Sequence, residues 1–292
     1  MIGLLRKVFR SPDEPRLRAG WRLLVQWLLL FLLMGLISFP AIVVLNFWPD
    51  SLDLVLLLIN GVSIVLSVFL ARRLIDRRSV RSLGLRLDRQ AVQDVAVGIG
   101  IAVLQTSLIF SLESAFGWLR VDGFAWQQQS AAAVLQGFSL WLVLFIAVGF
   151  YEELFSRGYQ LQNLAEGLNI FWGVLLSSVV FGLIHLLNPN ANWLSAFGIT
   201  ISGGFLAYAY LRTRQLWLAI GLHIGWNLFL GPVLGFPVSG LAIPGLLQLS
   251  VDGPVLFTGG DFGPEAGLVL LPALGLGALL VWRFTRGRLD QE

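Results

Sequence analysis

Eight stretches of the chain are almost continuously apolar: Leu24 to Leu45, Leu54 to Ala71, Val95 to Leu119, Ala132 to Tyr151, Ile170 to Leu187, Trp193 to Leu211, Leu216 to Leu234 and Leu268 to Phe284. Each is close to the roughly 20 residues a helix needs to cross about 30 Å of hydrocarbon. None alternates apolar and polar positions with a period of two, which speaks against a transmembrane barrel, whereas a helix satisfies its own backbone polar groups in lipid. The pattern predicts an all-α, polytopic membrane protein, with about eight transmembrane helices bundled around a polar intramembrane cavity.

Composition strengthens this reading. Of 292 residues, 57% are hydrophobic and 13% charged, against about a quarter charged in a soluble domain. A disordered chain, a coiled coil and an ordinary cytosolic enzyme are thereby excluded, because the apolar surface exceeds what one soluble core could bury. The lack of cysteine removes disulfide frameworks, thiolate metal sites and cysteine nucleophiles. The net charge of +3 comes almost wholly from arginine, Lys7 being the only lysine. These cations sit between apolar runs and form no patch of their own, so nucleic acid is not expected as a partner and membrane topology accounts for them.

Arg6, Lys7, Arg10, Arg16, Arg18 and Arg22 precede the first run, which is too long, and lacks the small-residue cleavage site, for a removable signal peptide. With the amino terminus cytoplasmic, eight crossings put the carboxyl terminus on the same side. That side then receives the arginine-rich segment from Arg72 to Arg89, the pair Arg212 and Arg214, and the tail Arg283, Arg286 and Arg288. The other side receives Asp50, Asp122, Asp252 and Asp261, with Arg120 as its lone cation. The expected setting is the cell membrane, plasma or inner, with both termini cytoplasmic. Of the two long connections, Arg72 to Asp94 has the composition of an amphipathic helix on anionic lipid or of a plain linker. The Gly/Pro-rich stretch from Gly235 to Pro264 reads as a linker.

Several polar side chains fall where lipid-facing helices cannot easily hold them. The chain has two histidines, His185 and His223, and both lie within apolar runs, as do Glu152 and Glu153 at the end of the fourth. Ionisable groups in membrane segments cost roughly 2.5 to 3.5 kcal/mol each and usually line a polar cavity. On a helix Glu153 and Arg157 are i and i+4 and can pair, while Glu152 lies about 100° away. Glu153 is then expected to be ionised and structural. Glu152, in an apolar setting beside a like charge, is expected to shift toward the range of a general base. His223 and Asn227 are also i and i+4, and Gly182, Gly221 and Gly225 would let neighbouring helices approach both histidines closely. Two chemistries fit. Glu152 with one histidine could activate water while the other histidine and Asn227 stabilise an oxyanion. Alternatively Glu152, His185 and His223 could bind Zn and a water, although the compact H-E-x-x-H spacing is missing.

Glu-Glu-x-x-x-Arg at 152 to 157, Phe-x-x-x-His at 181 to 185 and His-x-x-x-Asn at 223 to 227 occur in the order and approximate spacing of the CPBP family, named for CAAX proteases and bacteriocin-processing (Abi-type) enzymes. The chain resembles that family over about Gln129 to Pro232. The resemblance implies an intramembrane endopeptidase that hydrolyses a peptide bond of a membrane-embedded or lipid-modified, CAAX-like substrate. By position, Glu152 resembles the glutamate that activates water with help from His185. His223 and Asn227 resemble the oxyanion-stabilising pair, and Glu153 and Arg157 the supporting residues. The family's structural understanding favours a metal-independent glutamic mechanism without cofactor, with Zn the alternative. The chain then divides into a basic segment, 1–23, the first spans and a basic loop, 24–128, the catalytic core, 129–232, and an external loop, last span and basic tail, 233–292.

A proton-coupled transporter or a catalytically silent scaffold could use the same polar cavity. The sequence also poses a problem of depth. Glu152 would lie near the cytoplasmic end of its span, and His185 about 15 residues, or roughly 22 Å, into the next. Either the fourth helix continues past Arg157, or residues 158–169 dip back into the protein.

Overall fold

A computed structural model describes residues 16–47 and 52–288, together with Phe9 and Ser11. Arg6, Lys7, Arg10 and Asp50, which enter the charge reading above, lie outside the described residues. All eight apolar runs are helical: α1 (Ala19–Phe47), α2 (Leu52–Leu70), α3 (Arg89–Ala115), α4 (Ala131–Glu153), α5 (Ile170–Ile184), α6 (Trp193–Thr213), α7 (Trp217–Leu228) and α8 (Leu270–Thr285). Six of these helical paths are long and apolar enough to cross a membrane, while the last two, Trp217–Val233 and Leu270–Thr285, are apolar but shorter. The chain is a polytopic, helical integral membrane protein. Its only sheet among the described residues is a two-stranded antiparallel ribbon of β1 (Leu119–Phe124) and β2 (Leu247–Val251).

Lipid inverts the usual sense of inside and outside. On α1 the buried residues include Arg22 and Gln26, whereas Leu28, Phe31, Leu36 and Phe39 are exposed. With no water to compete, a polar group must find its partner within the protein, and apolar side chains can face the tails.

The chain forms two compact units, Met1–Arg86 with Phe150–Ser177 and Leu87–Gly149 with Ser178–Glu292. In the first, a buried polar network ties α1, α2 and the residues after α4 together. Arg72 pairs with Asp76 at 2.9 Å, the Tyr159 hydroxyl donates to Asp76 at 3.1 Å, and Gln160 donates to Gln26 at 2.7 Å. Gln26 donates in turn to Ser67, and Arg16 and Arg22 both pair with Glu166. The stretch after Arg72 is therefore not a helix lying on the lipid surface. Arg72 is buried and donates to Ser82 and Gln162, which fastens a short turn at Val80–Leu83 against the unit.

Of the two arrangements the sequence left open, the fourth helix continues past Arg157. After Glu153 the chain continues as a π-helical stretch, Leu154–Leu161, and then as α-helix through Gly167. Glu152 thus lies in the middle of a 37-residue helical path. π-Helical turns are rare and occur frequently at functional sites.

In the second unit, α3, α6, α7 and α8 pack closely, with α3 capped by the Asp88 side chain and α6 by Asn192. Polar contacts tie together both ends of this unit. Arg288 pairs with Asp94 at 2.7 Å and Arg212 donates to Thr285, gathering the start of α3 and the ends of α6 and α8. Asp122 lies on the ribbon at the far end of α3, bonded to Arg120 and Ser250. The stretch from Gly235 to Pro264 is no plain linker: it supplies β2, and Phe236, Val238, Ile243 and Phe262 are core residues. A connection that buries four large apolar side chains has enough hydrophobic drive to take up one structure.

Glycines set the helix spacing as the sequence suggested. A Cβ on Gly221 would lie 2.3 Å from the Val95 carbonyl oxygen, and one on Gly182 would lie 2.4 Å from that of Ala196. Backbone cannot yield as a side-chain tip can. Gly221→Ala is expected to destabilise by about 1–3 kcal/mol through overpacking, seen as a lowered thermal midpoint in detergent, whereas Gly100→Ala, with open space around it, should leave the midpoint unchanged or slightly raised.

Candidate active site

Each motif occupies the local setting its residue types require. In the first unit, Glu153 and Arg157 form a fully buried i,i+4 ion pair, with Arg157 Nη1 donating to Glu153 Oε1 at 2.7 Å. Arg157 also lies within the field of Glu152. Glu152 itself is half-buried, next to Tyr151, whose ring packs against Gly61. Phe155 meets Trp27 edge-on with centroids 5.1 Å apart, seating the π-helical turn against α1. The pairing of Glu153 with Arg157, read from spacing, is present.

In the second unit, His185, His223 and Asn227 line one cavity of about 40 Å³, room for two or three water molecules. His185 opens a short 3-10 turn, His185–Leu187, where α5 ends before Asn188 and Pro189. Its Nδ1 lies 2.7 Å from the Phe181 carbonyl oxygen. A carbonyl only accepts, so Nδ1 carries the proton and Nε2 is the basic nitrogen of the neutral ring. The Phe181 ring packs on His185 with centroids 4.7 Å apart and meets His223 edge-on at 6.2 Å. The phenylalanine of Phe-x-x-x-His therefore braces both imidazoles at once. His223 and Asn227, one turn apart on α7, are both buried and both face the cavity.

Sequence reasoning missed Glu265. It lies outside the spanning helices, on the short turn Pro264–Ala266, only 5% exposed, and lines the same cavity. Its Oε1 accepts from Trp226 Nε1 at 3.0 Å, and its Oε2 accepts from the Ser239 amide and, at 2.9 Å, from the Ser239 hydroxyl. Burial raises its pKa above the ordinary carboxylate value, opposed by the Ser239 hydrogen bonds, by the charge of His185 and by Trp226. A signal was present: Glu265 is an isolated carboxylate followed by an apolar run, in a segment otherwise read as a connection. Among the described residues no three or more His, Cys, Asp or Glu side chains form a group that could hold a metal ion.

Comparison with known proteins bears on the same residues. Positions 134–229 match the family described as "Type II CAAX prenyl endopeptidase Rce1-like", a span that contains all seven motif residues. A protein of Bacillus subtilis (strain 168), described as "Putative membrane peptidase YdiL", is 31% identical over 102 residues, 35% of this chain and 40% of that protein. The chain thus spans less than half the length of the curated relative it matches. No solved structure matches the chain.

The buried ion pair gives a stability prediction. Arg157→Met, leaving Glu153 buried without its partner, is expected to cost about 3–5 kcal/mol, whereas Arg157→Met combined with Glu153→Gln should recover most of the loss. Thermal unfolding of the two variants in the same detergent checks the difference.

Proposed function

We propose that this membrane protein, whose segment 134–229 belongs to the CPBP family, is an intramembrane endopeptidase acting on membrane-embedded or lipid-modified, CAAX-like peptides. The observation that carries the reading is the one cavity that His185, His223 and Asn227, all within the family-matched segment, line together. It combines these polar groups with a largely apolar lining, has room for water, and so suits a substrate arriving from lipid.

In the proposed reaction Glu152 takes a proton from water as the water oxygen attacks the peptide carbonyl carbon, with His185 assisting. The charge that develops on the carbonyl oxygen is stabilised by donors from His223 and Asn227. Collapse of the tetrahedral intermediate breaks the carbon–nitrogen bond, and the amine leaves with a proton. Glu153 and Arg157 hold the helix turn from which Glu152 projects. The mechanism is proposed to be metal-independent, with zinc the alternative. We assign the protein to the plasma or inner membrane with both termini cytoplasmic, a reading supported by the gathering of basic helix ends at one end of the second unit. Its partners are then membrane lipid and a membrane-anchored substrate, not nucleic acid.

Incubation of the purified chain with a library of prenylated and unprenylated peptides, with and without a strong zinc chelator, tests both activity and mechanism. Cleavage is expected to survive the chelator; loss that added Zn restores would overturn the metal-free mechanism. Glu152→Ala should lower the rate by about 10²- to 10⁴-fold and Asn227→Ala by about 10²- to 10³-fold in kcat, while Glu153→Gln only weakens it. Activity that persists in Glu152→Ala would overturn the assignment of the base, and proton flux without cleavage of any peptide would favour a transporter.

A further inference from the structure

Two polar bonds fasten the seam between α3 and α8. Arg288 pairs with Asp94 at 2.7 Å at one end, and Gln105 Nε2 donates to the Ala273 carbonyl oxygen at 2.9 Å at the other. Between them lies an open groove of about 500 Å³, lined by Val97, Gly100 and Leu104 of α3 and by Leu280, Arg283 and Phe284 of α8. Its floor is closed, since Ile101 and Val281 are core residues and Val97, Leu280 and Phe284 pack against that core. A trough of this size can hold a small ligand or a chain of one.

Gly100 leaves the trough open. Glycine weakens a helix from within, and a close approach of two backbones is the usual compensation. Gly98 has that reason: a Cβ there would lie 2.6 Å from the Leu218 carbonyl oxygen. Gly100 does not, because it is exposed and a Cβ on it would meet nothing within 4 Å.

The lining is apolar except for one cation. Asp94 faces Arg288 and Gln105 faces Ala273, so the two helices are antiparallel and Arg283 lies toward the Asp94 end. Arg283 is exposed, as is Arg286 three residues on. Arg288 is already committed, to Asp94 and to the Phe284 ring, whose centroid lies 4.3 Å from its guanidinium carbon. From Val97 to Leu104 the groove then runs roughly 10 Å along α3 without another charge. One class of molecule in a bilayer supplies an apolar chain and an anion joined at the matching boundary.

We propose that the α3–α8 groove is a binding site for an anionic glycerophospholipid, one acyl chain lying along Gly100 and Leu104 and the phosphate resting on Arg283. The planar guanidinium suits a phosphate, and a head group of net negative charge is favoured over a zwitterionic one, whose ammonium offsets the phosphate. Bound there, the lipid bridges two helices of the second unit and stabilises their packing by mass action. None of the groove residues lines the histidine cavity, so the site stands whether or not the protein cleaves peptides.

Native mass spectrometry of the full-length protein, released from maltoside micelles after equilibration with dioleoyl phosphatidylglycerol or dioleoyl phosphatidylcholine at equal mole fraction, counts the lipid retained. The unaltered protein is expected to keep phosphatidylglycerol about fivefold more strongly, the worth of one arginine near an anionic head group. Arg283→Gln should abolish that preference. Gly100→Leu, which fills the groove, should lower the retention of both lipids. Arg120→Gln removes an equal charge from the β1–β2 ribbon, where Arg120 is exposed, and should change neither. Equal retention of the two lipids by the unaltered protein, or a loss in Arg120→Gln as large as in Arg283→Gln, overturns the proposal. So does a split result: a loss in Arg283→Gln alone marks a charge contact without a seat for the chain, and a loss in Gly100→Leu alone marks a seat indifferent to the head group. A dimer that retains neither lipid places a second copy on the groove and overturns it as well. If Gly100→Leu fails to accumulate, Leu104→Trp, at an exposed position of the same wall, obstructs the groove in its place and decides on the same terms.

Discussion

A charged side chain can persist inside an apolar helix only if the fold delivers its partner, because lipid offers none. Much of the internal order of this protein follows from that constraint. Arg157 and Glu153 answer each other within one turn of helix. Arg72, Asp76, Tyr159 and the residues around them form a network in which each buried ion has a partner from another segment. Buried pairs of this kind contribute little net stability over well-packed apolar groups, but losing one member is costly. Their effect is to fix which faces of α1, α2 and the π-helical stretch meet.

The two units use different devices for the same end. In the first, ions and amides set the registry. In the second, glycines bring backbones together, and aromatic rings complete the packing around the histidines. Phe181 serves both purposes, since its carbonyl sets the tautomer of one imidazole while its ring braces both. The widened turn at Phe229–Val233 follows from Pro232, which has no amide proton to offer; the ladder steps past it, and the Leu234 amide bonds the Phe229 carbonyl five residues back.

The spans were legible because a run of some 20 apolar residues has few other fates, and all eight are helices. The Glu153–Arg157 pair and the shared face of His223 and Asn227 were legible because helical spacing alone dictates them. The continuation of the fourth helix was legible only as one of two arrangements, since a polar stretch such as Ser156-Arg157-Gly158-Tyr159-Gln160 suits a loop as well as a helix until its partners elsewhere in the unit are known. Residues 235–264 were misread for a related reason. Glycine and proline signal turns, yet Phe236, Val238, Ile243 and Phe262 are spaced too irregularly to show the period of any regular element. Glu265 escaped because its partners, Trp226 and Ser239, are 39 and 26 residues away, and no local pattern announces a long-range bond.

The loop that closes the histidine cavity has an implication for modularity. The family-matched segment ends at residue 229, but Ser239 and Glu265 form part of the cavity wall from beyond it. A chimera that grafted the matched segment alone onto foreign helices would carry every motif residue and still leave that wall open. Portability of this chemistry between scaffolds is therefore limited by the surrounding architecture, and a terminal span that looks like a mere anchor travels with the core as an obligate companion.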